Sequence, residues 1–505
     1  MLRQWGVSAI LVLGLAMPAM AEEAPSAEAV LEAASEAMGT ANVHSVRYSG
    51  TGYITSPGQS YSSALDDTWP RYDMTYTRTM DYDSNSWRDE QVRNQSTWSP
   101  RGGGGRPTDR SDQTVIESYA GGYAWNEGGN GNPQSDPRFV IQRQLEIILT
   151  PHGFIKAAMA APDATVQRQI ESSRSTRYVN IVTFKAMGKY PVNGWFNADN
   201  QLVRTQTWLP HEILGDLYLE TRYTGYQTFD GFQFPTAIHR SWGNPPHPGH
   251  ELNITRVEPN VANAGLLVPD AVASADIPDD TEITTTELAP GVWMLGGPHN
   301  SLAIEFADYA VIIEAPRSIA RGRAVIEETR RLIPTKPIRY VLNTHHHFDH
   351  SSGLRPFGAD DIVVITHESN FNFYEGVVFD LRPRLLVDDG FATAPRQVHY
   401  ELVDEAFSLT DGARTLEVAH VETQHSADML VGFLPEEGIL ITADLFNRRG
   451  PLSVGNPDDA ELALYHLIRR NEWDVKTVIP IHGPSATWAE FLSVVGGATA
   501  LTGGE

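Results

Sequence analysis

The alternation of hydrophobic and polar residues divides the chain into two parts with different predicted secondary structure. From about residue 44 to 256, segments such as 72–78 and 178–184 alternate bulky and polar side chains and are separated by Gly, Asn, Asp and Pro. This alternation is typical of half-buried antiparallel strands. Apolar residues at helical spacing predict helices at 27–38, 140–149 and 153–161.

The pattern changes after a segment rich in Pro, Asp and Ala at residues 257–281, which has the composition of a linker. Strand-like runs then alternate with helical runs: strands at 309–313, 362–365 and 438–442, helices at 320–332 and 459–471. Such alternation is typical of an α/β domain. The sequence therefore predicts an α+β protein, with a mainly antiparallel β domain at 22–256 and a second domain at 282–505.

Length, charge and composition narrow the classes of function. The chain has 505 residues, which is too long for one core, and 41% of them are hydrophobic, as in folded globular proteins. Its net charge of −25 argues against nucleic-acid binding, because that function needs a basic face. The absence of cysteine excludes disulfides and thiolate chemistry.

The N-terminus has the three parts of a secretory signal. Arg3 precedes an apolar run from Trp5 to Met17, and Ala19-Met20-Ala21 forms a cleavage site. We therefore expect residues 1–21 to be removed and the mature protein to be periplasmic or secreted, with a retained N-terminal anchor as the alternative. After this segment the sequence contains no run of about 18 apolar residues, which a membrane-spanning helix would need.

The octapeptide at residues 343–350 contains the strongest chemical signal in the chain. It reads Asn-Thr-His-His-His-Phe-Asp-His and places His345, His347, Asp349 and His350 directly after a strand-like run. Imidazole and carboxylate groups bind zinc and neighbouring metals. Burying four such groups without a ligand would be costly, so this H-x-H-x-D-H pattern predicts a metal site, with a solvated His cluster as the alternative.

Three further candidate ligands follow strands of the same domain. His425 comes after residues 415–422, Asp444 ends the strand at 438–442, and His482 ends the strand at 477–481. Each residue alone has an ordinary interpretation, since a lone His is more often structural and Asp444 is also a good helix N-cap. Their order after the octapeptide makes a shared metal site the better hypothesis.

With these motifs in place, residues from about 282 to 490 resemble the metallo-β-lactamase superfamily. The segment Ala289-Pro290-Gly291-Val292-Trp293-Met294-Leu295 also resembles that family's first strand. The resemblance implies a four-layer αβ/βα sandwich with a two-metal site along one edge. It also implies two zinc ions per chain, with iron or manganese as alternatives at the second, oxygen-richer position.

The resemblance implies a role for each ligand. His345, His347 and His425 would hold the first metal, Asp349, His350 and His482 the second, and Asp444 would bridge them. Asp349 and Asp444 would also be the catalytic residues, since a bridging hydroxide is the implied nucleophile and Asp349 would orient it. Many family members have Asp where this chain has Glu314, so we expect Glu314 to support the metal loop with a longer reach.

Other histidines have weaker claims. His346 alternates with two proposed ligands, so we expect it to point away from the metals. His299 falls in a loop and either lines the mouth of the pocket or packs structurally. His420 and His367 have no ligand role in the family pattern.

The leading hypothesis is a hydrolase that acts on a small-molecule ester, lactone, thioester or amide. The N-terminal β domain would shape substrate access or mediate homodimer formation. One alternative is a carrier of hydrophobic ligands, because the β half resembles in texture the curved half-barrels of bacterial lipoprotein-sorting proteins. Another is an iron-dependent oxidoreductase on the same fold. A bridging Asp disfavours a dedicated β-lactamase, because those enzymes commonly have Cys or Ser there.

Overall fold

A computed structural model gives the fold of most of the chain. It describes residues 25–96, 101–103, 112–171, 175, 177–243, 246–277, 279–382, 384–387, 389–448 and 450–496. The predicted signal peptide at 1–21 lies outside the described residues. Within the described part of the chain, every helix is too short or too polar to span a bilayer.

The first part of the chain forms one antiparallel sheet of thirteen strands and a separate two-stranded hairpin. The strands are β1 (Ser45–Thr55), β2 (Arg71–Asp81), β3 (Ser86–Gln95), β4 (Gln113–Ala120), β5 (Tyr123–Gly128), β6 (Pro133–Ser135), β7 (Thr165–Ile170), β8 (Tyr178–Ala186), β9 (Tyr190–Phe196), β10 (Leu202–His211), β11 (Gly215–Thr224), β12 (Gln227–Phe229), β13 (Phe232–Phe234), β14 (Ala237–Trp242) and β15 (His247–Pro259). Their order is β6-β5-β4-β3-β2-β1-β15-β14-β11-β10-β9-β8-β7, with β12 and β13 forming the hairpin. Strand β1 therefore pairs with β15, so the first and the last strand of this part lie side by side in the middle of the sheet.

Three helices cover one face of this sheet: α1 (Ala27–Met38), α2 (Val140–Ile148) and α3 (Pro151–Ala160). They begin or end within a few residues of the predicted bounds. The side chain of Ser26 caps α1 and that of Thr150 caps α3, since each accepts a backbone N–H of the first turn. Buried residues such as Leu31 and Phe154 pack against inward-facing strand residues in one hydrophobic core. A carrier of hydrophobic ligands would need this apolar face of the sheet for its ligand, and the three helices occupy it.

His152 on α3 makes the stability of this half sensitive to acid. Its ring is fully buried, with Nδ1 2.9 Å from Thr40 Oγ1 and Nε2 3.0 Å from the carbonyl of Gln233, and burial lowers its pKa to about 4. The unfolded chain binds the proton near pH 6.5 and the folded protein does not. Stability is therefore retained above pH 6.5 and falls as the pH drops towards 4.

Because the buried imidazole resists protonation, we expect the free energy of unfolding to be about 2 kcal/mol lower at pH 5 than at pH 7.5. Urea unfolding at both pH values measures it. A His152→Gln variant, which keeps hydrogen-bonding groups but cannot titrate, should lose less stability between the two pH values than the wild type. An equal loss in both proteins would contradict the assignment.

The segment predicted as a linker is partly ordered against the sheet. Strand β15 continues to Pro259, and a short helix, α4 (Asp270–Ala273), lies within residues 257–281. Val272 of α4 is buried against Ala120 and Trp125 of the first part. This part of the connection is therefore held in place by packing.

The second part of the chain contains two mixed sheets. The first comprises β16 (Thr284–Ala289), β17 (Val292–Gly296), β18 (Ser301–Glu305), β19 (Ala310–Ile313), β20 (Ile338–Leu342), β21 (Val363–His367) and β22 (Tyr400–Val403), and the second comprises β23 (Ala406–Thr410), β24 (Thr415–Val421), β25 (Met429–Leu434), β26 (Ile439–Ile441), β27 (Thr477–Ile479) and β28 (Ala486–Thr487). The helices are α5 (Ile319–Leu332), α6 (Phe348–Ser351), α7 (Arg355–Ala359), α8 (Phe371–Phe373), α9 (Gly390–Thr393), α10 (Asp459–Arg470) and α11 (Trp488–Val494), with a π-helical turn at Tyr374–Val378 and 3₁₀ turns at Thr40–Asn42, Pro137–Phe139 and Glu368–Asn370. In each sheet the strands lie side by side in sequence order.

Three cores show that these elements form four layers. Leu342 and Ile365 of the first sheet meet Leu430 and Ile441 of the second in a core between the sheets. Helices α5 and α7 pack on the outer face of the first sheet, and α10 and α11 on the outer face of the second. The order of layers is therefore αβ/βα, which confirms the predicted fold class.

Strand direction places the candidate ligands at one edge of this sandwich. Strand β20 runs parallel to β19 and β21, and β26 runs parallel to β27. The octapeptide follows β20, Asp444 follows β26 and His482 follows β27. Since the carboxyl ends of parallel strands meet at the same edge of a sheet, loops from both sheets converge there.

Candidate metal centre

The octapeptide runs in a tight loop from the end of β20 into α6. The side-chain amide of Asn343 donates to the carbonyl of His350 at 2.9 Å, and Asn343 Oδ1 accepts from the hydroxyl of buried Tyr374. Ser351 Oγ donates back to the carbonyls of His346 and His347. These bonds tie both ends of the loop together, so its imidazoles are held in fixed directions.

Two groups of side chains in this region have the spacing of metal ligands. The first contains three residues and the second four, and within each group the ligand atoms all lie within 4.8 Å of one another. They are His345, His347 and His425 in the first group, and Asp349, His350, Asp444 and His482 in the second. The structure thus brings together all seven residues that the sequence suggested.

Asp444 stands between the two groups. Its Oδ1 lies 3.2 Å from His350 Nε2 and 2.9 Å from His482 Nε2, both in the second group. Its Oδ2 lies 3.3 Å from His425 Nε2 in the first group. The preceding residue, Ala443, has a positive φ of 49°, a strained turn that directs Asp444 across the gap. One carboxylate therefore faces both groups, one oxygen to each.

The electrostatics leave most donors in the form that binds metals. Burial, with the neighbouring imidazoles, holds the pKa of His345 and of His347 well below its usual value, so both rings are neutral. Burial raises the pKa of Asp349 and of Asp444, but the neighbouring imidazoles, His350 foremost, together hold the pKa of both carboxyls well below the ordinary range. For His350, burial lowers the pKa, but Asp444, Asp349 and Glu314 together raise it well above the usual value.

The residues present fit a pair of metal ions. Nε2 of His350, Nε2 of His425 and Oδ1 of Asp444 are buried and make no aligned hydrogen bond, although they face other donor atoms closely. Buried polar groups are normally hydrogen-bonded, and leaving three unsatisfied in one place is unfavourable. Imidazole nitrogens and carboxylate oxygens are the ligands that zinc and its neighbours use. These atoms are therefore suited to binding cations.

Glu314 lies behind the second group, as the sequence suggested. Its Oε2 is 2.9 Å from His350 Nδ1, and its Oε1 accepts the backbone N–H of Thr344 at 2.8 Å. The side chain is fully buried. A carboxylate on the far nitrogen of a ligating histidine fixes the ring and its tautomer, so Glu314 orients His350 towards the metal position.

A second carboxylate, Asp428, was missed by the sequence analysis as a functional residue. Its Oδ1 lies 2.9 Å from His346 Nδ1, its Oδ2 accepts the backbone N–H of His346 at 3.0 Å, and Ser426 donates its hydroxyl to it. The His346 imidazole holds the pKa of Asp428 below its ordinary range, against the effect of burial. His346 is absent from both ligand groups, as expected. Residue spacing gave no signal for Asp428, because its partner is 82 positions away.

His299 lies beside the second group. Its Nε2 is 3.4 Å from Asp349 Oδ2, and its ring is 4.1 Å from that of His482. Burial lowers the pKa of His299 to about 4, so the ring is neutral. By contrast, the rings of His367 and His420 contact each other, with centroids 4.2 Å apart, and belong to neither ligand group. Asp349, with 34% of its side chain exposed, is the most open of the seven ligand candidates, so solvent reaches the site from that side.

The layers, the edge loops and the two ligand groups define the metallo-β-lactamase fold. Residues 294–482 match the family model described as the metallo-beta-lactamase superfamily. This fold holds His and Asp groups that could bind metal ions, and most members of the superfamily that carries it are hydrolases. No curated protein sequence matches the chain.

Solved structures with similar folds cover 42–44% of this chain. A metallo-beta-lactamase from Pontibacter korlensis is 20% identical, with 42% of this chain and 99% of that chain covered and a TM-score of 0.33. The FIM-1 metallo-beta-lactamase from Pseudomonas aeruginosa, in a mono-zinc form, is 24% identical, with 44% of this chain and 95% of that chain covered and a TM-score of 0.32. A flavodiiron protein from Giardia intestinalis is 16% identical, with 42% of this chain and 58% of that chain covered and a TM-score of 0.33.

Proposed function

We propose that this protein is a periplasmic metal-dependent hydrolase that uses two metal ions to cleave an ester, lactone, thioester or amide of a small molecule. The observation that carries the proposal is the division of the Asp444 oxygens between the two ligand groups. A carboxylate with one oxygen in each group is suited to a dinuclear site. Zinc is the proposed metal, with iron or manganese as alternatives in the second group because Asp349 and Asp444 make it oxygen-rich.

The site residues have distinct roles in this proposal. When bound, the two ions would activate a water molecule near neutral pH and polarise the scissile carbonyl. Asp349 is ionised and opens towards solvent, so its carboxylate can orient the attacking water. Neutral His299 has its Nε2 next to Asp349, so it can help to orient that carboxylate. Asp444 in place of Cys or Ser favours a hydrolase other than a dedicated β-lactamase.

The proposed location rests on the sequence. The apolar run from Trp5 to Met17 followed by Ala19-Met20-Ala21 supports export, and a chain without cysteine needs no disulfide in an oxidising compartment. Comparing the mass of the mature protein with that of the full chain would test removal of residues 1–21.

Metal content and hydrolysis test the proposed activity together. We expect purified protein to contain two metal ions per chain, to hydrolyse generic esters or lactones, and to lose that activity on chelation and regain it with Zn²⁺. His345→Ala should lower metal content and activity, because it removes a ligand of the first group. The matched control is His466→Ala, which alters an exposed histidine on α10.

Two results would contradict the proposal. One is folded wild-type protein that binds no metal and shows no hydrolysis across ester, lactone, thioester and amide substrates. The other is full activity in His345→Ala. Iron as the bound metal, combined with oxygen consumption and no hydrolysis, would favour an oxidoreductase instead.

A further inference from the structure

The connection between β1 and β2 reaches from the N-terminal sheet onto the candidate metal centre. We call residues 56–70 the covering loop. The carbonyl of Gly58 accepts the backbone N–H of Phe348 at 3.2 Å, and the carbonyl of Tyr61 accepts the backbone N–H of Ala427 at 2.8 Å. The covering loop is thus bonded to both segments that carry the first ligand group.

Ser60 contacts a ligand candidate through its backbone. Its carbonyl oxygen lies 2.8 Å from Nε2 of His347, while Nδ1 of the same ring faces His345 Nε2 at 3.0 Å. A carbonyl accepts only, so the Nε2 of His347 carries the proton and donates it to Ser60. This leaves the Nδ1 lone pair directed into the first group, which is the tautomer that a metal ligand needs.

Gln59 contacts the second group through its side chain. Its Nε2 donates to Asp349 Oδ1 at 2.8 Å. The other oxygen, Oδ2, lies 3.5 Å from both His350 Nε2 and His482 Nε2. The two oxygens of Asp349 are therefore divided between an amide of the N-terminal domain and the metal-binding atoms.

A second segment of the N-terminal domain supports Gln59. Gly103 donates its backbone N–H to the carbonyl of Gln59 at 3.0 Å. A Cβ at Gly103 would lie 2.8 Å from Cε1 of His347 and 2.9 Å from Cε1 of His425, closer than side chains pack. Only glycine lets this backbone approach both imidazoles and the glutamine together.

We propose that the N-terminal domain is an integral part of the metal centre, and that Gln59 is a positioning residue that fixes the Asp349 carboxylate for the second metal. This inference rests on the proposed metal site but goes beyond it, because it gives the N-terminal domain a defined task. A loop that only shields the site needs no polar side chain inside it. Gln59 is neutral, so it restrains Asp349 without adding charge or competing as a cationic partner.

Gln59→Met tests the proposal in the full-length protein. Methionine has nearly the same length and volume but cannot donate a hydrogen bond. Metal-free protein would be titrated with Zn²⁺ in competition with a chromophoric chelator, which resolves two binding steps. We expect one step to weaken by about 10- to 100-fold, the range for loss of a partner of a ligand, and the other to stay unchanged.

The matched control is Ser63→Ala, on the same loop. Ser63 donates to the carbonyl of Ser369 at 3.0 Å, so it also joins the two domains but contacts no member of the ligand groups. Both of its Zn²⁺ steps should match those of the wild type. Thermal unfolding of the metal-free proteins should show that both variants remain folded.

Two outcomes would overturn the role of Gln59. Unchanged affinity at both steps in Gln59→Met would make the covering loop a shield only. Equal weakening in Gln59→Met and Ser63→Ala would assign the effect to docking of the loop as a whole. If the wild-type protein bound no Zn²⁺ at all, the proposed function itself would be contradicted. If the wild type bound Zn²⁺ and Gln59→Met bound it equally well, only the role of Gln59 would be contradicted.

Discussion

Asp444→Ala should lower the affinity for metal by more than about 100-fold and abolish measurable hydrolysis. Loss of a residue that supports a ligand lowers metal affinity by about 10- to 100-fold, and in the proposed site Asp444 is itself a ligand shared by both groups. Elemental analysis after dialysis should find fewer than two ions per chain. Because both oxygens of Asp444 are engaged, we expect losses in both binding steps, unlike a variant of any residue that serves one group.

Asp308→Ala is the control for this variant. Asp308 is an exposed carboxylate of the same domain, between β18 and β19, and lies in neither ligand group. It changes the net charge equally, so a shared loss of activity would point to charge alone. An Asp444→Ala protein that keeps two tightly bound ions would contradict the bridging role.

Asp428→Ala should lower the free energy of unfolding by about 3–5 kcal/mol, the usual cost of removing one partner of a buried pair. The substitution leaves the Nδ1 and backbone N–H of His346 without their acceptor in a fully buried environment. Urea unfolding of the metal-free protein measures this loss, with Asp308→Ala again as the control.

A double variant separates the pair from its surroundings. If Asp428 acts mainly through His346, then Asp428→Ala combined with His346→Ala should be little less stable than Asp428→Ala alone. A loss of less than about 0.5 kcal/mol in Asp428→Ala, as for ordinary surface residues, would contradict this interpretation.

The sequence predicted the parts of the site that depend on local pattern. The octapeptide carries its ligands within one loop, and His425, Asp444 and His482 each follow a recognisable strand. Alternation and helical spacing also predicted α1, α5 and α10 closely, because each has one continuous apolar face. The αβ/βα order of layers followed from the resemblance that these motifs supported.

The contacts that cross between domains could not be predicted in this way. Gln59 and Ser60 lie in a polar loop with no motif, and their partners are 290 and 287 positions away. Only the folded chain brings them to Asp349 and His347. Gly103 gave a compositional signal as part of a glycine-rich stretch, but nothing in that stretch indicates that a backbone must approach two imidazoles.

The contact between Ser60 and His347 also bears on when the protein can acquire its ions during synthesis. Contacts between residues so far apart form late, because the chain between them must first be made and folded. The covering loop is synthesised before His347, and Asp444 and His482 come later still in the sequence. We therefore expect ion uptake to follow the folding of both domains, because the tautomer of His347 that binds an ion depends on the carbonyl of Ser60.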